Sequence, residues 1–118
     1  MKKLLKSSLL ALASFALLTG ANAKTLENGV LKIATEGTYS PYSYHDKNDA
    51  LTGYDVEVAR EVAKKLNLKA EFVEAPWDAM LAAFDAGKTD IVFNQVSITD
   101  ERKKKYDYTV PYTVAYAA

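Results

Sequence analysis

Apolar and polar positions along this chain alternate between two periods. Val30-Leu31-Lys32-Ile33-Ala34-Thr35 is a short, largely apolar run with Gly29 before it and Gly37 after it, which predicts a first strand. From Asp55 to Leu66 the apolar positions Val56, Ala59, Ala63 and Leu66 fall on one helical face. Asp55 and Glu57 stand near the end of that helix where the dipole favours acidic groups. Asn67 ends the helix, and Ala70 to Glu74 alternates like a second strand. Pro76 introduces a second helix, Trp77 to Ala86, with Met80, Leu81 and Phe84 on one face and Gly87 as its stop. Thr89 to Phe93 is nearly continuously apolar after Asp90, as expected of a parallel strand covered on both faces. A polar turn with Asn94, Gln95 and Ser97 follows, and Thr99 then caps a short helix whose first turn carries Arg102.

The order β-α-β-α-β predicts one α/β lobe built on a mostly parallel sheet with flanking helices. Between its first strand and first helix the chain is expected to loop. Glu36 to Tyr44 is dense in aromatics (Tyr39, Tyr42, Tyr44), and a polar turn from Asp46 to Asp49 follows His45. Pro111 to Ala118 is an apolar, β-prone run with no closing turn, which reads as part of a longer chain.

Residues 1–23 carry a different message. Lys2, Lys3 and Lys6 precede the apolar stretch Leu9–Leu18, and Ala21-Asn22-Ala23 supplies small residues for cleavage before Lys24. The stretch is shorter than the ~20 residues a membrane-crossing helix needs, so it reads as a cleavable signal peptide. The sequence has no cysteine, which rules out a thioether lipid anchor and any disulfide. A soluble periplasmic protein is the expectation. Removing those 23 residues from 118 leaves 95, enough for one domain with one core. It also removes three lysines, turning 15 basic and 15 acidic groups into 12 and 15, a net charge of −3. That balance argues against a nucleic-acid or anionic-membrane binder.

In open α/β sheets ligands bind beyond the carboxyl ends of the strands. Three loops meet there, Glu36–Tyr44, Glu74–Asp78 and Asn94–Arg102, bringing Tyr39, Tyr42, Tyr44, Trp77, Ser97, Thr99 and Arg102 to one edge. A guanidinium beside free backbone N–H groups seats a carboxylate, and aromatic walls with few polar groups suit a small zwitterion. Plainer readings compete. Arg102 also opens the run Arg102-Lys103-Lys104-Lys105, whose lysines are expected to face solvent, and Trp77 suffices as a staple between its helix and the sheet. Tyr106, Tyr108, Tyr112 and Tyr116 are assigned to strand packing, and His45, without neighbouring ligands, to the surface. No nucleophile elbow, Walker or dinucleotide glycine pattern, or metal spacing points to an enzyme or a cofactor.

Five motifs then occur in order: Lys32-Ile33-Ala34-Thr35, Tyr39-Ser40-Pro41-Tyr42, Gly53-Tyr54-Asp55-Val56-Glu57-Val58-Ala59, Trp77-Asp78 and Ser97-Ile98-Thr99-Asp100-Glu101-Arg102. With them, residues 29–116 resemble the family 3 solute-binding proteins of ABC importers, the polar amino-acid receptors. Glu36-Gly37-Thr38-Tyr39, Asn94-Gln95-Val96 and the run from Asp100 to Asp107 look most like the cystine-binding branch. The resemblance implies a type II periplasmic-binding-protein lobe over residues 24–118, with the second lobe missing. It implies an amino-acid ligand, ABC permease subunits as partners, a monomer and no cofactor. Arg102 would pair with the ligand α-carboxylate, with Ser97 adding hydrogen bonds from its backbone and hydroxyl. Asn94 and Gln95 would line the pocket, with a main-chain carbonyl near them for the α-ammonium. Tyr39 and Trp77 would sandwich the side chain, and Glu36 would sit at its far end. Two other readings stay open: an enzyme on the same fold, such as a cyclohexadienyl dehydratase, and a module of a sensor or lytic enzyme.

Overall fold

The structure is a computed structural model and describes residues 23–114. The segment expected to be a signal peptide, apart from Ala23, lies outside the described residues, as do residues 115–118 with Tyr116. Strand β1 (Val30–Thr35) is the centre of a three-stranded parallel sheet. On one side it pairs along its whole length with β5 (Lys69–Glu74), Val30 opposite Lys69 and Thr35 opposite Glu74. On the other side it pairs with β6 (Ile91–Val92), Ile33 opposite Ile91 and Ala34 opposite Val92. The chain thus runs outward from β1 to β5 through helix α1 (Tyr54–Lys65). It then crosses to the far side of β1 through α2 (Trp77–Asp85). This reversal puts a switch point at the carboxyl end of β1, where open sheets bind ligands.

The central position explains the composition of β1. Leu31, Ile33, Ala34 and Thr35 are all buried, and Leu31 and Ile33 join Ala59, Ala63 and Phe93 in the core. Small Ala59 and Ala63 let α1 approach the sheet closely, while Val58, Val62, Leu68 and Phe72 pack around the cluster. Leu66, expected on the apolar stripe, is exposed because it caps the helix after the last inward turn. Asn67 takes the reversal with φ 55, and the N–H groups of Asn67 and Leu68 donate to the carbonyls of Lys64 and Ala63. That is a Schellman closure, with asparagine in the left-handed position. Gly87 ends α2 the same way with φ 72.

Three expectations need correction. The loop from Glu36 to Tyr44 contains strands: β2 (Thr38–Tyr39) and β3 (Ser43–His45) form an antiparallel meander with β4 (Leu51–Thr52). Strands of two or three residues are too short to show a period. The meander is shaped instead by a cis Ser40–Pro41 bond at one turn and, at the other, by Asp46 Oδ1 accepting from the N–H groups of Asn48 and Ala50. The third strand of the parallel sheet is Ile91–Val92 alone, half-buried rather than covered on both faces. Beside it runs an open cleft of ≈ 440 Å³ lined by Leu81, Phe84, Val96 and Tyr106, among others. Thirdly, Tyr112 lies outside any strand and folds inward against Phe93 and Tyr54, with ring centroids 5.6 and 6.0 Å away.

The basic run is also less uniform than expected. Lys105 Nζ lies 2.6 Å from Asp85 Oδ2 while the Tyr106 hydroxyl donates to Oδ1, so Lys105 and Tyr106 fasten the segment after the short helix to the end of α2. Lys105 first, and then Tyr106, holds the Asp85 carboxyl below its usual range. Among the described residues no helix is long and apolar enough to cross a membrane.

Ile33 is fully buried at the crossing of sheet and helix, so truncation leaves a cavity that rigid neighbours cannot fill. Ile33→Ala is expected to lower the unfolding free energy by about 2–5 kcal/mol, read as a lower urea midpoint with an unchanged slope.

Candidate functional site

At the switch point Asn94 is 2% exposed, and both ends of its amide are hydrogen-bonded. Its Oδ1 accepts from the Glu36 N–H at 2.9 Å, the Thr35 hydroxyl at 3.1 Å and the Ser43 hydroxyl at 3.4 Å. Its Nδ2 donates to Glu36 Oε2 at 2.7 Å. Only this orientation of the amide satisfies both a donor and a carboxylate of the same residue. The result is a Glu36 side chain aimed by its neighbour. Asn94 lines the cavity but has little hydrogen-bonding capacity left for a ligand, so it acts as a support for Glu36.

The next residue is supported from the opposite direction. Gln95 has φ 51, in the left-handed region that residues other than glycine seldom occupy. Its Nε2 donates to Asp55 Oδ1 at 2.6 Å and to Thr113 Oγ1 at 3.1 Å. The amide is therefore turned into the protein.

Arg102 comes from helix α3 (Asp100–Lys103), whose cap is the expected one: Thr99 Oγ1 accepts from the Arg102 N–H at 3.1 Å. The guanidinium donates from Nη1 to the Ser97 carbonyl at 3.1 Å and lies 5.6 Å from the Trp77 ring centroid. A carbonyl at one edge and an aromatic face beside it fix the fork while leaving other N–H groups free. Trp77 holds its place as the first residue of α2, behind Pro76.

Glu36, Tyr39, Trp77, Asn94, Gln95, Ser97 and Arg102, all expected in the site, line one open cavity of ≈ 320 Å³. No ion pair joins Glu36 to Arg102 among the described residues. A carboxylate and a guanidinium thus share a cavity without neutralising each other, between the half-buried Trp77 and the exposed Tyr39. Such a space complements a molecule carrying both charges. Three residues expected at the same edge stay out of the cavity lining. Tyr42 packs against Tyr39 with centroids 5.1 Å apart, Tyr44 lies within β3, and Thr99 is spent on its cap.

One group near the site was not anticipated. His45 Nε2 lies 2.6 Å from Glu74 Oε1, and Nδ1 lies 3.1 Å from the Asp49 carbonyl and 3.2 Å from its Oδ1. The ring clasps the meander to the end of β5. Glu74 in turn closes over Gly37 (φ 72), where a Cβ would collide with its carboxylate. The clasp therefore roofs the residue next to Glu36. Its partners are 29 residues apart in sequence, and no local signal connects them.

This α/β lobe with its parallel sheet has the type II periplasmic-binding-protein fold of the solved structures that it matches, in part of its extent. The chain belongs to the bacterial extracellular solute-binding proteins, family 3, whose model matches residues 31–118. The L-cystine-binding protein TcyA of Bacillus subtilis is 52% identical over 96 residues, covering 80% of this chain and 35% of the relative. A probable amino-acid ABC transporter-binding protein of Haemophilus influenzae is 46% identical over 117 residues, covering 95% of this chain and 46% of the relative. Among solved structures, the unliganded open L-cystine solute receptor of Neisseria gonorrhoeae matches with a TM-score of 0.69 and 52% identity. That match covers 71% of this chain and 36% of the receptor. The chain spans about half the length, or less, of the curated relatives it matches.

Both nitrogens of His45 face acceptors, so the ring satisfies them only as imidazolium, and the Glu74 bond foremost, then the Asp49 bond, raises its pKa above 6.5. Because the folded pKa is the higher one, the stabilisation is complete below about 6.5 and fades as pH rises through the folded value. The chain has a single histidine, so one NMR signal reports the event. Its titration midpoint is expected above 6.5 and is expected to fall in Glu74→Gln.

Proposed function

We propose that this chain is the first lobe of an extracytoplasmic receptor that captures an amino acid and delivers it to an ABC importer. L-Cystine is the ligand we favour. The observation that carries this reading is the cavity at the switch point, where Glu36 and Arg102 stand unpaired to each other between Trp77 and Tyr39. Arg102 takes the α-carboxylate in charge-assisted bonds, the kind a guanidinium fork makes best. Trp77 and Tyr39 flank the ligand side chain, and Glu36 receives an ammonium at the far end. Cystine carries two such zwitterionic ends, which matches a cavity with one anionic and one cationic group. Asn94 and Gln95 hold the walls in place, and Ser97 contributes polar contacts at the carboxylate end.

Two further observations support the receptor reading. The relatives named above are binding proteins, two of them for L-cystine. The cavity is open to solvent, and the match covers 36% of the cystine receptor, which agrees with one lobe of a two-lobed clamp. Residues 1–23 serve as the export signal and place the receptor, as a monomer, in the periplasm, where its partners are the permease subunits.

Calorimetric titration of the complete two-lobed protein with L-cystine, and then with arginine, histidine and glutamine, tests this. Saturable heat with L-cystine is expected. Arg102→Ala is expected to weaken binding about a hundredfold, roughly 2.7 kcal/mol, and Arg102→Lys to recover only part of it. Glu36→Gln is expected to cost about tenfold for ligands with a distal ammonium. No heat with any amino acid overturns the proposal, and turnover of prephenate would assign the fold to a dehydratase.

A further inference from the structure

Among the described residues Asp55 is the one acidic side chain with no solvent exposure. Its Oδ1 accepts from Gln95 Nε2 at 2.6 Å and from the Tyr112 hydroxyl at 2.9 Å, while Oδ2 is buried without a partner. It is the second residue of α1, a helix without a side-chain cap, so the positive end of the helix dipole lies beside it. Burial foremost, and the charge of Asp55 after it, pushes the Tyr112 hydroxyl pKa up, which keeps that hydroxyl a donor.

The two donors come from different places. Gln95 lines the cavity and holds a left-handed backbone; Tyr112 and Thr113 belong to the last described segment of the chain. Thr113 Oγ1 lies 3.1 Å from the same Gln95 nitrogen, so the segment and the cavity residue meet at one point. Asn94, next to Gln95, is fixed by β1 and β3. Asn94 and Gln95 are therefore held by different elements, with Asp55 the anchor on the helix side.

We propose that Asp55 is a positioning residue of the amino-acid cavity. Its buried carboxylate holds Gln95 in the left-handed conformation, sets the path of Val96 and Ser97 towards Arg102, and ties that path to Tyr112 and Thr113. Asp55 touches no ligand. The inference rests on the amino-acid-binding reading for its effect on affinity, but the geometry it assigns to Gln95 stands without a ligand.

A donor–acceptor swap tests it in the complete two-lobed protein. Gln95→Glu sets carboxyl against carboxyl and is expected to weaken L-cystine binding tenfold or more. Asp55→Asn with Gln95→Glu exchanges the donor and acceptor and is expected to return affinity to within threefold of wild type. Asp55→Leu is expected to lose binding tenfold or more and to release the slow hydrogen exchange of the Gln95 side-chain amide. A packing role alone would shift the thermal midpoint, leave that exchange slow, and give the swap no recovery; this result overturns the proposal. If Asp55→Leu fails to fold, the swap pair decides. If the wild-type protein takes up no amino acid, the functional reading falls. Gln95 amide exchange and the backbone coupling constant that reports its φ then decide the positioning role alone.

Discussion

The buried amide of Asn94 is the interaction on which the rest of this lobe depends. It joins the end of β6 to the end of β1 through Thr35 and Glu36, and to the meander through Ser43. Ser43, itself fully buried, accepts from the Gly37 N–H at 3.1 Å. Inside a protein such a network stabilises only when every member is satisfied, since each donor left without a partner costs about 1–3 kcal/mol. Three pieces of chain therefore lock together or not at all. The Glu36 carboxylate inherits its direction from that lock.

A second consequence is that the cavity keeps its charges apart. Glu36 is engaged by Asn94, and Arg102 by the Ser97 carbonyl and the Trp77 ring. Were the two charged groups to pair directly, a ligand would have to break an ion pair before binding. Holding each with neutral partners keeps capacity on both for an incoming charge. The fold thus spends polar side chains on orientation, and the charged ones remain for recognition.

Much of this was legible in the sequence, for identifiable reasons. β1, α1, β5 and α2 are long enough to display a period, and their stops, Asn67 and Gly87, announce themselves by backbone preference. Thr99 and Arg102 were readable because a cap and its third residue are local. The seven residues singled out by the family resemblance line one cavity, since loops that follow adjacent parallel strands converge, while Tyr42, Tyr44 and Thr99, expected at the same edge, stay out of it. The meander was not legible, because two-residue strands carry no pattern. Asp55 looked like an ordinary acidic residue at a helix start; only the tertiary structure shows that it is buried beneath Gln95 and Tyr112. Tyr112 was assigned to strand packing on composition, yet its ring and hydroxyl point into the lobe. Asn94 and Gln95 line the cavity, and their hydrogen-bond partners lie far away in sequence, where no local pattern could point to them.

The placement of β1 at the centre of the sheet has a consequence for the order of events as the chain is made. Among the described residues β1 is the first regular element, yet neither neighbour exists when it emerges, and Thr35 waits 59 residues for Asn94. At translation rates of about 5–20 residues per second, that interval is roughly 3–12 s. Both edges of this deeply buried strand stay unpaired until β5 has emerged, and the edge that β6 covers stays open for the whole interval. The lobe therefore asks the cell to keep its own centre apart from other chains until β6 arrives.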